Sequence, residues 1–268
     1  RVERHFLGWN SSALDEAAAR LIEHYTAAGE ARMDRAVVVL PGARAGRRLA
    51  ELLLEHAERR GVRLVPPRTT KIGDLPELLY EPDAPLAEPA LTRRVWAQAL
   101  RALGRERVSA LFPYPPEPDD LPGWATLARI VERLRREVGG AGLRFVDVAD
   151  RCAEGLLHDD GARWRILAEV SDVYLDRLLA LGYVDRHEAR LAALESGKVA
   201  TDRELWLVGV VEMPGIVRRA LASLPETSPP VRVLVHAPES LADGFDDFGC
   251  VRPEAWTDAE PPIDDARI

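Results

Sequence analysis

The clearest candidate for chemistry in this sequence is a glycine turn that follows the apolar run Ala36–Leu40. A working phosphate loop has the form Gly-x4-Gly-Lys-Ser/Thr, in which backbone N–H groups and the lysine bind phosphate and the hydroxyl holds Mg²⁺. Here Gly42 and Gly46 stand one residue too close together, and Arg47 and Arg48 replace the lysine and the hydroxyl residue. We therefore expect a degenerate loop that does not bind ATP, and we interpret the glycine spacing as close packing of a helix on a strand.

An earlier turn is a second incomplete version of the same loop. It has hydroxyl side chains but neither the second glycine nor the lysine, and its residues are Gly8, Asn10, Ser11 and Ser12. Neither turn therefore predicts ATP hydrolysis.

Basic and hydroxyl side chains cluster around the central turn. Residues 35–71 contain nine basic residues against three acidic ones, a local charge of +6 in a chain whose net charge is −8. Open α/β sheets bind ligands at the carboxyl ends of their strands, and arginine forks and helix N-terminal amides suit DNA phosphates. The sequence thus predicts a nucleic-acid-binding edge near those strand ends, formed by Arg44, Arg47, Arg48, Arg68, Thr69, Thr70 and Lys71. The alternative is that some of these arginines only solvate a helix face.

Other candidate sites are incomplete. His158 and Asp159 form the kind of pair that binds metals, but they lack further ligands at a defined spacing, so we predict no metal site. The sequence contains no G-x-S-x-G nucleophile motif, and no strand-borne aspartate is followed by the Glu-x-Lys of a nuclease centre. We expect this chain to have no catalytic residues and not to be an enzyme.

The cysteine content, the lengths of the apolar runs and the first residues together predict where in the cell the protein lies. The two cysteines lie far apart, no apolar run approaches the roughly 18 residues of a membrane span, and the first residues lack the pattern of a signal peptide. We expect a cytoplasmic protein with no membrane partner.

The elements that position these residues alternate between strands and helices. The first 80 residues predict short strands at His5–Leu7, Ala36–Leu40 and Val62–Val65, with helices between them and an extended segment Arg68–Ile72. A capping box at Ser12–Asp15 is expected to open the first helix. This order is typical of a parallel sheet with right-handed crossovers.

Helical periodicity dominates the middle of the chain. Periodic segments fill 89–104, 122–138, 160–182 and 185–196, and only Leu143–Val148 resembles a short extended piece. Buried strands return at Leu205–Val211 and Val231–Val235, with a helix Pro214–Leu224 between them. We expect residues 1–85 and 200–268 to form one discontinuous α/β domain with a parallel sheet, and 86–199 to be an all-helical insertion. The approach to a further strand at Ile263–Ile268 suggests an N-terminal fragment of a longer protein.

Four stretches carry a resemblance to a known family. They are HFLGWNSSALDEAA at 5–18, VVVLPGARAGRRLAELL at 37–53, PPRTTKIGDLPELL at 66–79 and ELWLVGVVEMPGIVRRALASL at 204–224, followed by the acidic segment from Phe245 to Trp256. Together they resemble the N-terminal region of AddB-type subunits of bacterial recombination helicase–nucleases. This is the RecC-like group, which combines an inactivated superfamily I helicase with a PD-(D/E)XK nuclease.

The resemblance implies a P-loop-NTPase-like helicase domain 1A with an inserted helical 1B. It implies binding of single-stranded or duplex-end DNA during double-strand break processing and recombinational repair, and an AddA-type helicase–nuclease subunit as partner. It implies no cofactor in this chain, because the family's nuclease and its iron–sulfur cluster lie in a C-terminal part that is missing here. Two alternative hypotheses for the function remain. The chain is a scaffold that docks a partner motor subunit, or it is an α/β enzyme that binds a nucleotide or sugar nucleotide.

Overall fold

A computed structural model describes residues 1–156 and 160–257 of the chain. His158, Asp159 and the expected strand at Ile263–Ile268 lie outside the described residues. The chain divides into two compact units. A sheet unit contains Arg1–Leu78, Ala200–Met213 and the described residues from Leu224 onward, and a helical unit contains Leu79–Val199 and Pro214–Ser223.

The described residues form eight strands and nine α-helices. The strands are β1 (Val2–Phe6), β2 (Thr26–Ala27), β3 (Glu30–Arg32), β4 (Ala36–Leu40), β5 (Arg63–Val65), β6 (Arg68–Lys71), β7 (Glu204–Val208) and β8 (Val231–Val235). The helices are α1 (Ala13–Tyr25), α2 (Ala43–Arg60), α3 (Pro89–Leu103), α4 (Arg105–Ser109), α5 (Leu121–Gly140), α6 (Phe145–Ala153), α7 (Gly161–Ala180), α8 (Arg186–Glu195) and α9 (Gly215–Ala222). None of these helices is both long and apolar enough to cross a bilayer.

A five-stranded, all-parallel sheet organises the sheet unit, with the strand order β1-β8-β7-β4-β6. All five residues of β4 are buried, as expected for a strand covered on both faces. β4 pairs directly with β7, with Val38 opposite Trp206. This pairing confirms the prediction that the strands after residue 200 continue the sheet begun in the first 80 residues.

Helices α1 and α2 cover one face of this sheet. Their apolar stripes meet Val38, Leu40 and Trp206 in a continuous core. The two helices pack against each other because their small and branched residues recur at helical spacing, with Ala18, Leu21 and Ile22 on α1 and Leu49, Leu52 and Leu53 on α2 all buried.

A separate small sheet corrects the predicted place of the strand at Val62–Val65. β5 pairs in parallel with β3, and β3 pairs with β2 in a hairpin. Ala28 and Gly29 both have positive φ, 50° and 81°, as a two-residue type I′ hairpin turn requires. The main sheet instead receives its edge strand from β6, within the segment that the sequence marked only as extended.

The helical unit has a core of its own, built mainly from α3, α5, α6 and α7. The rings of Trp96 and Tyr174 stack at its centre, 3.9 Å apart. Phe145 opens α6, so the short extended piece predicted at Leu143–Val148 is wrong. α9 packs against α5 and α8, where the Arg219 guanidinium donates to the Gly142 carbonyl oxygen at 2.9 Å, so residues 214–223 join the helical unit.

Candidate nucleic-acid interface

The start of α2 lies directly after β4, at the carboxyl edge of the sheet. Gly42 is its N-cap residue in an extended conformation, no side chain caps the helix, and the first turn contains no acidic residue. The first N–H groups of a helix have no partners within the helix, and they form the positive end of its dipole. This end of α2 is therefore suited to an anion.

The three arginines of this helix end differ in their surroundings. Arg44 and Arg47 are exposed, and neither has an acidic partner among the described residues. Arg48 is held on its own helix, with its Nη1 2.8 Å from Glu51 Oε2 and 3.2 Å from Glu55 Oε1. The hydrogen bond to Glu51, followed by the charge of Glu55, raises the pKa of Arg48 above its usual value. Of the three arginines, Arg44 and Arg47 are thus the two whose charges are available to bind an anion.

The residues of β6 do not all lie where the sequence predicted them. Lys71 stands opposite Leu40 in the register, at the carboxyl edge, with Thr70 next to it. Arg68 stands opposite Val37, three residues earlier, which is roughly 10 Å along the strand at about 3.3 Å per residue. The predicted position of Arg68 near the carboxyl ends is therefore wrong, because β6 begins at that residue. The charge of Lys71 is partly neutralised, because its Nζ lies 3.1 Å from Asp74 Oδ2.

Thr69 lies on the α2 side of β6 and is exposed. A Cβ added to Gly46 would lie 3.6 Å from Thr69 Oγ1 and 3.7 Å from Leu40 Cδ1. These are ordinary van der Waals distances, and a Cβ on Gly42 would meet nothing within 4 Å, so the packing of helix on strand requires neither glycine and the interpretation of their spacing as close packing is wrong. Successive strand residues point to opposite faces, so Thr70 points to the other face of the sheet.

The earlier degenerate turn is closed by hydrogen bonds to the segment that follows β8. The Gly8 N–H donates to the Ala237 carbonyl oxygen at 2.9 Å, and Trp9 Nε1 donates to the His236 carbonyl oxygen at 2.9 Å. His236 Nε2 lies 3.0 Å from the Ser11 carbonyl oxygen. A phosphate loop must point its N–H groups at the ligand, whereas Gly8 uses its N–H within the protein.

The start of α1 has the opposite charge character to the start of α2. Ser12 makes no side-chain cap, so the expected capping box is wrong. Asp15 Oδ1 instead lies 2.9 Å from His56 Nε2 on α2, and the Ser11 hydroxyl donates to Glu16 Oε1 at 2.6 Å. Two carboxylates in the first turn disfavour a second anion at this end.

Two features of the site escaped the sequence reasoning. The spacing of Glu51 and Glu55 from Arg48 was a readable signal for its pairing, because residues three or four apart face each other on a helix. The link between Asp15 and His56 joins residues 41 positions apart, and no local pattern indicates it. Across the described ranges, no group of three or more His, Cys, Asp or Glu side chains is placed to hold a metal ion.

These observations define the class: an α/β protein whose five-stranded parallel sheet carries a basic, uncapped helix N-terminus at its carboxyl edge. No protein-family model matches this chain, and comparison with curated protein sequences gives no match either.

Proposed function

We propose that this chain is a non-catalytic, helicase-like region that binds the phosphate backbone of DNA at the start of α2. In this proposal the sheet unit is a P-loop-NTPase-like domain, and the helical residues between β6 and β7 are its insertion. The observation that carries the proposal is a pair of exposed arginines, Arg44 and Arg47, beside an uncapped helix N-terminus. Within residues 1–156 and 160–257 neither arginine has an acidic partner.

The topology supports this location. After β4 the chain moves outward through α2 to the edge strand β6, whereas after β7 it moves back toward β8. In open α/β sheets ligands bind at the carboxyl edge where the direction of the connections reverses. β4 and β7 are the adjacent strands at which it reverses here, and α2 begins immediately after β4.

The charges at the two degenerate turns support DNA rather than a nucleoside triphosphate. The turn after β1 leads into Asp15 and Glu16, and the turn after β4 leads into arginines with no lysine–hydroxyl pair. A surface that contacts phosphates one at a time needs separated cations, and arginine supplies them with planar donor forks. ATP hydrolysis is accordingly not part of the proposal.

The resemblance to AddB-type subunits supplies the wider setting of the proposal. The chain would act in double-strand break processing in the cytoplasm, on single-stranded or duplex-end DNA, together with an AddA-type subunit. Any nuclease or iron–sulfur chemistry would belong to other parts of such a protein.

The first prediction separates the three arginines of α2. Each phosphate contact to single-stranded DNA contributes about 0.7 to the slope of log K against log[salt]. Arg44→Ala and Arg47→Ala combined should lower the slope by about 1.4, because each removes an available cation. Arg48→Ala should lower it by less than about 0.7, because Glu51 and Glu55 already occupy its guanidinium. Fluorescence anisotropy with a labelled oligothymidylate, over a series of salt concentrations, measures these slopes.

The matched control is Arg59→Ala combined with Arg60→Ala, which removes the same charge from the exposed C-terminal end of the same helix. It should leave the slope within the error of the unmodified chain. An equal loss in this control, or an unchanged slope after loss of Arg44 and Arg47, would show that DNA does not bind at the start of α2. A blunt-ended hairpin duplex in parallel titrations distinguishes binding of duplex ends from binding of single strands.

A further inference from the structure

An open groove runs between α3 and the first turns of α5 in the helical unit. It has a volume of about 510 Å³. Three alanines form much of its lining, namely Ala90, Ala97 and Ala125, and beside them Leu121 is 59% exposed. Small residues on facing helices leave room for side chains from another molecule. Covering an exposed leucine at the edge of such a groove removes apolar surface from water, which favours binding.

The rim of the groove is basic. Arg93, Arg94 and Arg101 line it, and a neighbouring depression of about 400 Å³ shares Arg101 and adds Arg177. Among the described residues, neither lining contains an acidic side chain.

These arginines are largely available. Within the described part of the chain, Arg94 and Arg177 have no acidic partner, and the Arg101 guanidinium donates to the Pro118 carbonyl oxygen at 2.8 Å. Arg93 is the exception, since its Nε lies 3.5 Å from Glu132. An apolar surface bordered by unneutralised arginines is complementary to an apolar surface bordered by carboxylates.

We propose that this groove binds an acidic amphipathic helix of a partner protein. Apolar side chains of that helix would cover the alanines and Leu121, and its flanking carboxylates would pair with Arg94 and Arg101. These two arginines are seven residues apart on α3, two helical turns or about 10.5 Å, so carboxylates at positions i and i+7 of the partner match their spacing.

The lining favours a protein over a nucleic acid. Single-stranded nucleic acids gain much of their affinity by stacking bases on exposed aromatic faces. Of the described residues that line the groove, Trp124 is the one aromatic. It is 2% exposed and donates its Nε1 hydrogen to the Glu117 carbonyl oxygen at 2.8 Å. The lining therefore offers aliphatic surface, which suits leucine-like anchors. The proposal is independent of the DNA-binding proposal, because it uses other residues in the other compact unit.

The test uses the full chain and a fluorescein-labelled model helix with leucines at i, i+4 and i+7 and flanking glutamates at i+1 and i+8. Anisotropy titration should give saturable binding. Arg94→Glu combined with Arg101→Glu should weaken it at least tenfold, and Leu121→Ser should weaken it at least threefold. A second peptide, with glutamine in place of glutamate, should also bind at least tenfold more weakly.

The matched control is Arg129→Glu combined with Arg136→Glu, which reverses two exposed charges of α5 that do not line the groove. This control should bind the peptide within twofold of the unmodified chain, and circular dichroism should show the same helix content for every variant. The proposal is overturned if the unmodified chain does not bind the peptide, or if the control weakens binding as much as the groove variant. It is also overturned if Arg94→Glu with Arg101→Glu abolishes oligothymidylate binding while peptide binding persists.

Discussion

Among single residues, Arg44, Arg47 and Arg48 share a charge and a helix but not an environment. Two carboxylates hold Arg48 on its own helix, so moving it to a phosphate means breaking existing ion pairs. Solvent screens exposed pairs of this kind strongly, so they do not block binding outright. They reduce the net gain from Arg48, and for this reason Arg48 is tested separately from Arg44 and Arg47.

The helical unit contains a group of buried charges that the sequence did not indicate. Arg135 is 2% exposed, and its Nη2 lies 3.1 Å from Glu188 Oε2 and 3.6 Å from Asp185 Oδ1. Asp185 is 6% exposed, caps α8 through the His187 and Glu188 N–H groups, and accepts the Tyr174 hydroxyl hydrogen at 2.9 Å. Burial raises the pKa of Tyr174, which therefore stays protonated and continues to donate. Removing one partner would leave another charge buried and uncompensated.

His187 beside this group gives a pH-dependent prediction. Burial, with Arg190, Arg135 and Arg186 acting in the same direction and Asp185 opposing them, lowers the pKa of His187 to about 4. The unfolded chain binds a proton near pH 6.5 that the folded chain takes up only near pH 4, so stability falls as the pH drops through this window. The loss attributable to His187 should approach about 3 kcal/mol. Urea unfolding between these pH values measures it.

The control for this prediction is His187→Gln, which has no proton to bind. Its free energy of unfolding should depend less steeply on pH than that of the unmodified chain, whatever its value near neutral pH. Other groups with shifted pKa values, among them His5, Asp172 and Glu195, are common to both proteins and cancel in the difference. Parallel pH profiles would show that His187 is not the titrating group.

At the scale of elements, the last turn of α5 contains two adjacent glycines in different surroundings. A Cβ added to Gly139 would lie 2.7 Å from the His187 ring on α8, whereas a Cβ on Gly140 would meet nothing within 4 Å. Gly139→Ala should therefore destabilise the protein by about 1–3 kcal/mol through overpacking. Gly140→Ala should stabilise it by up to about 1 kcal/mol, because alanine favours the helix. Thermal unfolding of the two variants measures the difference, and equal effects would contradict the observed packing of α5 on α8.

The elements also show what the sequence predicts and what it does not. Long apolar runs predicted β4, β7 and β8, and helical periodicity predicted the main helices, because burial on two faces or on one stripe leaves a local pattern. Leu143–Val148 was ambiguous because so short an apolar segment fits a strand or a helix. β5 was predicted as a strand, but its partner β3 was not, because three residues are too few to show an alternating or apolar pattern, even though β3 is the central strand of the small sheet. For the candidate site, the residue types were visible, whereas Arg68 was misplaced because the start of β6 depends on pairing with β4.

At the scale of the whole molecule, α9 shows that the position of an element along the chain does not determine which elements it packs against. It lies between β7 and β8 along the chain, yet it packs with α5 and α8 of the helical unit. An amphipathic helix specifies which of its faces is apolar but not which surface covers that face. Ile216 and Val217 are 1% and 0% exposed, so the docking of α9 buries real apolar area.

The division of the chain into two compact units predicts how each unit responds to a substitution in α9. Ile216→Ala should cost about 2–5 kcal/mol, because it leaves a cavity in a packed site. Proteins open in cooperative units whose hydrogen-exchange protection reflects their own packing. Hydrogen exchange followed by mass spectrometry should therefore show lost protection in α5, α8 and α9, while β7 and β8 retain theirs although they flank α9 in sequence. Val233→Ala, which truncates a buried residue of β8, is the matched control and should reverse the pattern. If either change lowers protection equally throughout the described residues, the two compact units open together and the prediction is wrong.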